Sequence, residues 1–139
     1  MILDDDHHCF VCGRENPIGL HLNFSVAGGR ASAECVLRKD LQGYRDIVHG
    51  GIITAILDEA MIKAAAGHGI QAVTAEITVR FRNPLMAGET ALVEAVVNKV
   101  RKNIIGAEAV IKGPGPKIVA EARGTLVIKG DGRPQRPPS

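Results

Sequence analysis

Apolar and polar residues alternate from Leu20 onward, with Leu20, Leu22, Phe24 and Val26 on one side of the chain and His21, Asn23 and Ser25 on the other. A two-residue period of this kind predicts a half-buried strand. Gly28-Gly29 is a hairpin turn signal, and "RASAECVL" returns as the second strand. After the loop "RKDLQGYRDIV" the period lengthens. "HGGIITAILDEAM" carries apolar residues at helical spacing and predicts one long helix, about Gly51 to Ala66, closed by the glycines of "GHGI". Alternation then resumes in "AVTAEITVRFRNPL", with Ile77, Val79 and Phe81 facing one way and Glu76, Thr78, Arg80 and Arg82 the other. The turn "NPLMAGE" leads to "TALVEAVVNKVRKN", and two further strands, "IIGAEAVIKG" and "KIVAEARGTLVIKG", are joined by "GPGP".

The predicted order is two strands, one helix and four strands. This is an α+β pattern in which a long antiparallel sheet wraps one central helix, and its open edges invite pairing with a second chain. Residues 1–130 are expected to form a single domain, with 1–18 as an N-terminal loop. The Pro-rich tail 131–139, "DGRPQRPPS", is expected to be disordered.

At about 100° per residue, Ile53, Ile56, Leu57, Ala60 and Ala64 share one helix face, as packing on a sheet requires. Glu59 and Lys63 lie four apart on a flanking stripe, in the favourable order for an ion pair. Asp58 falls opposite the core face, among Thr54, Ala55, Met61, Ile62 and Ala65. The helix is thus apolar on almost every side, and an aspartate there is costly unless it is hydrogen-bonded or has a task. Two readings stand: a carboxylate satisfied by a backbone donor, or one facing a cleft at a subunit contact. The preceding His49-Gly50-Gly51 has two readings as well. It is a tight turn into a helix, or a helix start whose free N–H groups and positive dipole end suit a carbonyl oxygen gaining charge. Glycine there lets a substrate approach the backbone. For His49 the roles are ligand, base or orienting donor, and a local hydrogen bond is the plainer one.

Composition narrows the classes. Hydrophobic residues are 45% of the 139, enough for a real core, and the net charge of +2 gives no footprint for nucleic acid. Base stacking has only Phe10, Phe24, Phe81 and Tyr44 to draw on. No apolar run reaches the ~20 residues that span a bilayer. The start "MILDDDHH" lacks the basic and hydrophobic parts of a secretory signal. Three cysteines cannot form a full disulfide framework, so a cytoplasmic location is expected. Cys9 and Cys12 have zinc-like spacing beside His7 and His8, but Cys35 has no nearby second thiol and His21 is isolated. A structural zinc site wants four ligands, so a packed loop is the expectation, with no metal and no cofactor.

The stretch "HGGIITAILDEA", the later "FRNPLMAGE" and the strand order resemble the hot-dog-fold acyl-CoA thioesterases, especially the group that includes the phenylacetate-degradation thioesterases. His49 and Asp58 have that family's nine-residue spacing, Phe81, Pro84 and Gly88 fit its aromatic-x-x-Pro-x-x-x-Gly turn, and the likeness runs from about Leu20 to Ile128. The leader "CFVCGRENPIGL" resembles one found on a subgroup of these proteins. The resemblance implies a hot-dog fold, a homodimer or dimer of dimers (a homotetramer), and active sites at the subunit interface. It implies a hydrolase acting on acyl-CoA, with Asp58 as general base or nucleophile and the Gly50 N–H polarising the thioester carbonyl. Thr74 helps place the water or the carboxylate. His49, Gly51 and Tyr44 are further site candidates, and Glu59 has no role. Several relatives have an Asn or similar polar residue about six positions before the His; here that position is Gly43, with Tyr44 beside it. Arg80 and Arg82, then Lys99, Arg101 and Lys102, are candidates for the coenzyme A phosphates, against the plain reading of a solvated sheet face.

The leading expectation is thioester hydrolysis. The alternative is a non-catalytic acyl-CoA binding or sensing protein on the same fold. Hydratase chemistry lacks its His-Phe-Pro helix signature here, and a metal module on Cys9 and Cys12 is the remaining option.

Overall fold

The computed structural model describes residues 3–115 and 117–129, so the expected disordered tail at 131–139 lies outside the described residues. Two strands, β1 (Ser25–Ala27) and β2 (Arg30–Val36), precede the helix α1 (Gly50–Ala66). Four follow it: β3 (Ala72–Phe81), β4 (Thr90–Arg101), β5 (Ile104–Lys112) and β6 (Ile118–Ile128). All pairings are antiparallel, in the spatial order β1-β2-β4-β5-β6-β3.

The sheet folds around α1 because its inner face is lined by small and branched apolar residues. Ala31, Ala33, Ala91, Val93, Ala95, Ala107, Ala109, Ile111, Ala120 and Ala122 are buried with Ile53, Ile56, Leu57 and Ala60 of the helix. Alanine rows let the helix sit close to the sheet, and Ile, Leu and Met fill what the absent aromatics would have filled. Gly124 lies directly against the helix: a Cβ there would lie 2.9 Å from Met61 Sδ. All five residues assigned to the core face of the helix are buried.

Two local expectations change. The first strand is only Ser25–Ala27, because the backbone N–H groups of Leu20 and Leu22 bond to the carbonyls of Phe10 and Val11 instead of to a neighbouring strand. Alternation there still buries Leu22, but against the N-terminal segment as well as the core. The predicted hairpin is present, with Ala27 opposite Arg30 and positive φ at both Gly28 and Gly29, the combination a two-residue type I′ turn needs. At the helix end Gly67 keeps a helical φ of −63°, and it is Gly69, at +72°, that turns the chain. The Gly69 and Ile70 N–H groups then bond back to Ala66 and Ala65, a Schellman closure.

β3 is the long open edge. Ten residues of it are hydrogen-bonded on one side only, by β6, whereas the opposite edge is the three-residue β1. An exposed edge of this length is a template for another strand.

Replacing Ile56, fully buried at the centre of the helix–sheet contact, with alanine is expected to cost roughly 2–5 kcal/mol, read from denaturant unfolding. Cys35 supplies a pH test. Burial pushes its thiol up to about 11 from the ordinary 9.0, so the folded chain keeps the proton where the unfolded chain loses it. Its contribution is complete below pH 9 and lost as pH rises toward 11. Cys35→Ala is expected to flatten that alkaline limb in urea unfolding.

Candidate active site

The start of α1 is fixed by loops on both sides. The Val48 N–H donates to the Leu85 carbonyl at 2.9 Å, so the turn after β3 holds the segment before the helix. The His49 N–H donates to the Leu41 carbonyl at 2.9 Å. His49 itself is the N-cap: its Nδ1 accepts the Gly51 N–H at 2.8 Å, which puts the proton of a neutral ring on Nε2. The His49 carbonyl takes the N–H groups of Ile52 and Ile53. Of these first helical donors, the Gly50 N–H alone has no acceptor among the described residues. The pair of glycines is therefore not equivalent. Gly51 has its amide bound by His49, and Gly50 points a free donor outward at the positive end of a 17-residue helix.

Phe81, the last residue of β3, sits over that donor. A Cβ on Gly50 would lie 3.4 Å from Phe81 Cε1 and Cζ, and the ring is 57% exposed. The phenyl group forms an apolar wall beside the free N–H.

Asp58 lies two turns along the same helix, half-buried among Thr54, Ala55 and Ile62, which are half-buried too. The Thr74 hydroxyl donates to Asp58 Oδ1, leaving Oδ2 without a donor among the described residues. Strict alternation along β3 would have placed Thr74 on the outer face with Glu76, Thr78 and Arg80. A β-bulge prevents this. Thr74 pairs with Leu126 and Glu76 with Thr125, so Ala75 is an extra residue and the parity of the strand reverses across it. Thr74 shares the inner face with Leu126, and Ile77 and Val79 share it with Gly124 and Ala122. Bulges commonly re-aim a side chain beside a functional site.

The remaining candidates are elsewhere. Arg80 and Arg82 line a cavity of about 580 Å³ on the outer face of the sheet, with Arg30, Lys112 and Arg123 among the cations and Glu94, Glu108 and Glu121 among the anions. Arg82 pairs with Glu121 at 3.2 Å. Tyr44 is 87% exposed. Gly43 lies against the His49 ring, where a Cβ would meet Cδ2 at 3.4 Å. The expected Glu59–Lys63 ion pair is not among those of the described residues. Glu59 instead accepts the Cys9 thiol at 3.1 Å, a contact across fifty residues that no local pattern announces.

A family profile described as the thioesterase superfamily matches residues 46–120, more than half of the chain and the part holding His49, Gly50, Asp58 and Thr74. The chain belongs to the thioesterase superfamily. Its single helix against a six-stranded antiparallel sheet is the superfamily's hot-dog fold. A curated relative from Archaeoglobus fulgidus, named "Putative esterase", is 28% identical over 98 residues. That match takes in 70% of this chain but 64% of the relative. Among solved structures, the E. coli PaaI protein from the phenylacetic acid degradation operon is 25% identical, with a TM-score of 0.75, covering 80% of this chain and 81% of that one. A Streptococcus pneumoniae protein described as a hypothetical thioesterase, solved with coenzyme A, shares the fold at 14% identity and a TM-score of 0.76, covering 84% and 88%. That pneumococcal protein has also been solved with alanine in place of an aspartate and of a threonine sixteen positions apart.

His49→Ala is expected to cost about 1 kcal/mol of stability by removing the cap on the Gly51 N–H. The measurement is a thermal melt, and an unchanged midpoint would show that water caps the helix equally well.

Proposed function

We propose that this protein hydrolyses acyl-coenzyme A thioesters to the free acid and coenzyme A, in a site shared between two copies of the chain. The observation that carries this reading is the separation of two half-sites on one helix. The free Gly50 N–H and the Thr74-held Asp58 are eight residues apart, or about 12 Å of helical rise. One thioester carbonyl cannot touch both, since each must lie within about 3 Å of the reacting atoms. A second copy paired along the open edge of β3 brings the Gly50 of one chain toward the Asp58 of the other. It also covers the half-buried, mostly apolar side of α1 that carries Asp58.

In that arrangement the thioester oxygen takes the Gly50 N–H, and the helix dipole stabilises the negative charge that develops there. Asp58 Oδ2 removes a proton from water as the water attacks the carbonyl carbon, or attacks the carbon itself to give an anhydride that water then opens. Thr74 holds the carboxylate by its other oxygen. Collapse of the tetrahedral intermediate breaks the C–S bond, and the coenzyme A thiolate leaves and takes up a proton. Phe81 walls the carbonyl site. Arg80, which carries no ion pair among the described residues, is the better placed of the two arginines for a phosphate of coenzyme A. The aspartate and threonine replaced in the pneumococcal protein have the sixteen-residue spacing of Asp58 and Thr74, which supports the pairing of roles. The three free cysteines fit a reducing cytoplasm, and no helix of the described residues is long and apolar enough to cross a membrane.

The test is complementation. Asp58→Asn should lower acyl-CoA turnover by roughly 10²–10⁴-fold. Gly50→Pro deletes the free N–H at a position where proline fits a helix start, and should lower it by roughly 10²–10³-fold. Mixing the two inactive proteins under conditions of subunit exchange should restore about a quarter of wild-type activity, because half the dimers hold one intact site. A mixture that stays inactive while the chains exchange would place both groups in one subunit. Tight coenzyme A binding without turnover by the wild type would select the non-catalytic binding reading, which Gly43 favours.

A further inference from the structure

The N-terminal segment meets α1 in a second cluster of reactive side chains, at Glu59, the neighbour of Asp58. Cys9, Cys12 and Glu59 each offer one donor atom, and all three atoms lie within 4.8 Å of one another, half-buried. We propose that Cys9, Cys12 and Glu59 form a structural zinc site that clips the N-terminal segment to the middle of α1.

Four features of the segment support a metal knuckle over a chance contact. The sequence Cys9-Phe10-Val11-Cys12-Gly13 forms a tight turn in which the Gly13 N–H bonds to the Cys9 carbonyl at 2.9 Å. The Cys12 N–H donates to Cys9 Sγ at 3.5 Å, a contact that stabilises negative charge on that sulfur. No side chain fits at Gly13, since a Cβ would lie 2.3 Å from the Cys9 nitrogen and 2.6 Å from the carbonyl oxygens of Cys9 and His7. The turn is anchored on both flanks, by the buried side chain of Val11 and by the Phe10 and Val11 carbonyls that hold Leu20 and Leu22. Both sulfurs are thereby presented to Glu59, whose Oε2 is already 3.1 Å from Cys9 Sγ.

The donor chemistry fits zinc. Two thiolates and a carboxylate are among its ordinary ligands, at about 2.3 Å for sulfur and 2.0–2.2 Å for oxygen. A tetrahedral ion with those bonds holds its ligand atoms roughly 3.3–3.8 Å apart, so the cluster needs only side-chain adjustment. A 210 Å³ cavity beside Cys12, lined by His7 and Asp5 as well as by Lys63, leaves room for a water or one of those two side chains as the fourth ligand. Two thiolates and one carboxylate around a divalent ion leave one negative charge in excess. Lys63, which lines the cavity beside Cys12, supplies the compensating cation. On binding, both thiols lose their protons to solvent, two per zinc, and the Cys9–Glu59 hydrogen bond is replaced by two bonds to the metal. No oxidant is involved.

The test uses the full-length reduced protein with Zn²⁺ and with Co²⁺ as a spectroscopic substitute. The expected result is about one zinc retained per chain after dialysis, and a thiolate-to-cobalt charge-transfer band in the near ultraviolet. Both are lost in Cys12→Ser and kept in Cys35→Ser. A chelator should lower the melting midpoint of the wild type and leave that of Cys12→Ser in place. If Cys12→Ser does not fold, alkylation mapped by mass spectrometry decides on the wild type: zinc should protect Cys9 and Cys12 and not Cys35. The proposal is overturned by a wild type that shows no cobalt band and no zinc-dependent protection. It is equally overturned by a cobalt band that survives in folded Cys12→Ser, or by a Cys9–Cys12 disulfide in protein isolated without added oxidant.

Discussion

Helix α1 is apolar on nearly every side, and a sheet can cover only one side of it. That constraint organises the molecule. Six strands curl around the face formed by Ile53, Ile56, Leu57 and Ala60, and the alanine rows of β2, β4, β5 and β6 let them come close. The remaining side of the helix, with Thr54, Ala55, Asp58 and Ile62, stays half-covered in a single chain. On one flank the sheet ends in the long open edge of β3, which is free to take another strand. Burial and the position of the carboxylate are therefore linked, since the side of the helix that the sheet leaves half-covered is the side that holds the acid.

The site depends on two small irregularities in otherwise regular elements. At the helix start, His49 takes the Gly51 amide for itself and leaves that of Gly50 free, so one of two adjacent glycines becomes the donor. On β3, the extra residue Ala75 turns Thr74 from the outer face to the inner one, where its hydroxyl meets Asp58. Neither feature costs a core contact: Ile77, Val79 and Phe81 keep their inward parity after the bulge. A helix cap and a bulge are cheap local adjustments, and they decide which polar atoms are bound locally and which are left free.

The N-terminal segment has a role in the same design. It supplies Val11 to the core, pairs its carbonyls with Leu20 and Leu22, and reaches the neighbour of Asp58 through the Cys9–Glu59 contact. The helix pattern alone pairs Glu59 with Lys63 as a surface acid. In the fold, both side chains belong to the environment of the cysteine turn, and adjacent acids on one helix serve different ends. Asp58 faces the open side, whereas Glu59 holds the leader.

Much of the architecture was legible in the residues because hydrophobic period is a local property. The 3.6-residue rhythm of "GIITAILDEA" and the alternation of the strands specify element type and inward face without reference to anything distant. The Gly28-Gly29 turn was legible for the same reason, and the placement of Asp58 in part: Thr54, Ala55 and Ile62 flank it half-buried, whereas Met61 and Ala65, assigned to the same side, are fully buried in the core. Tertiary structure decided what depends on residues far apart in the chain. The bulge at Ala75 follows from register against β6, fifty residues on. The true length of the first strand follows from competition by the Phe10 and Val11 carbonyls. The bond of Cys9 to Glu59 follows from a leader laid across the helix. Local pattern measures how each residue partitions between water and core, whereas register and long-range pairing are set only when the whole sheet closes around its helix.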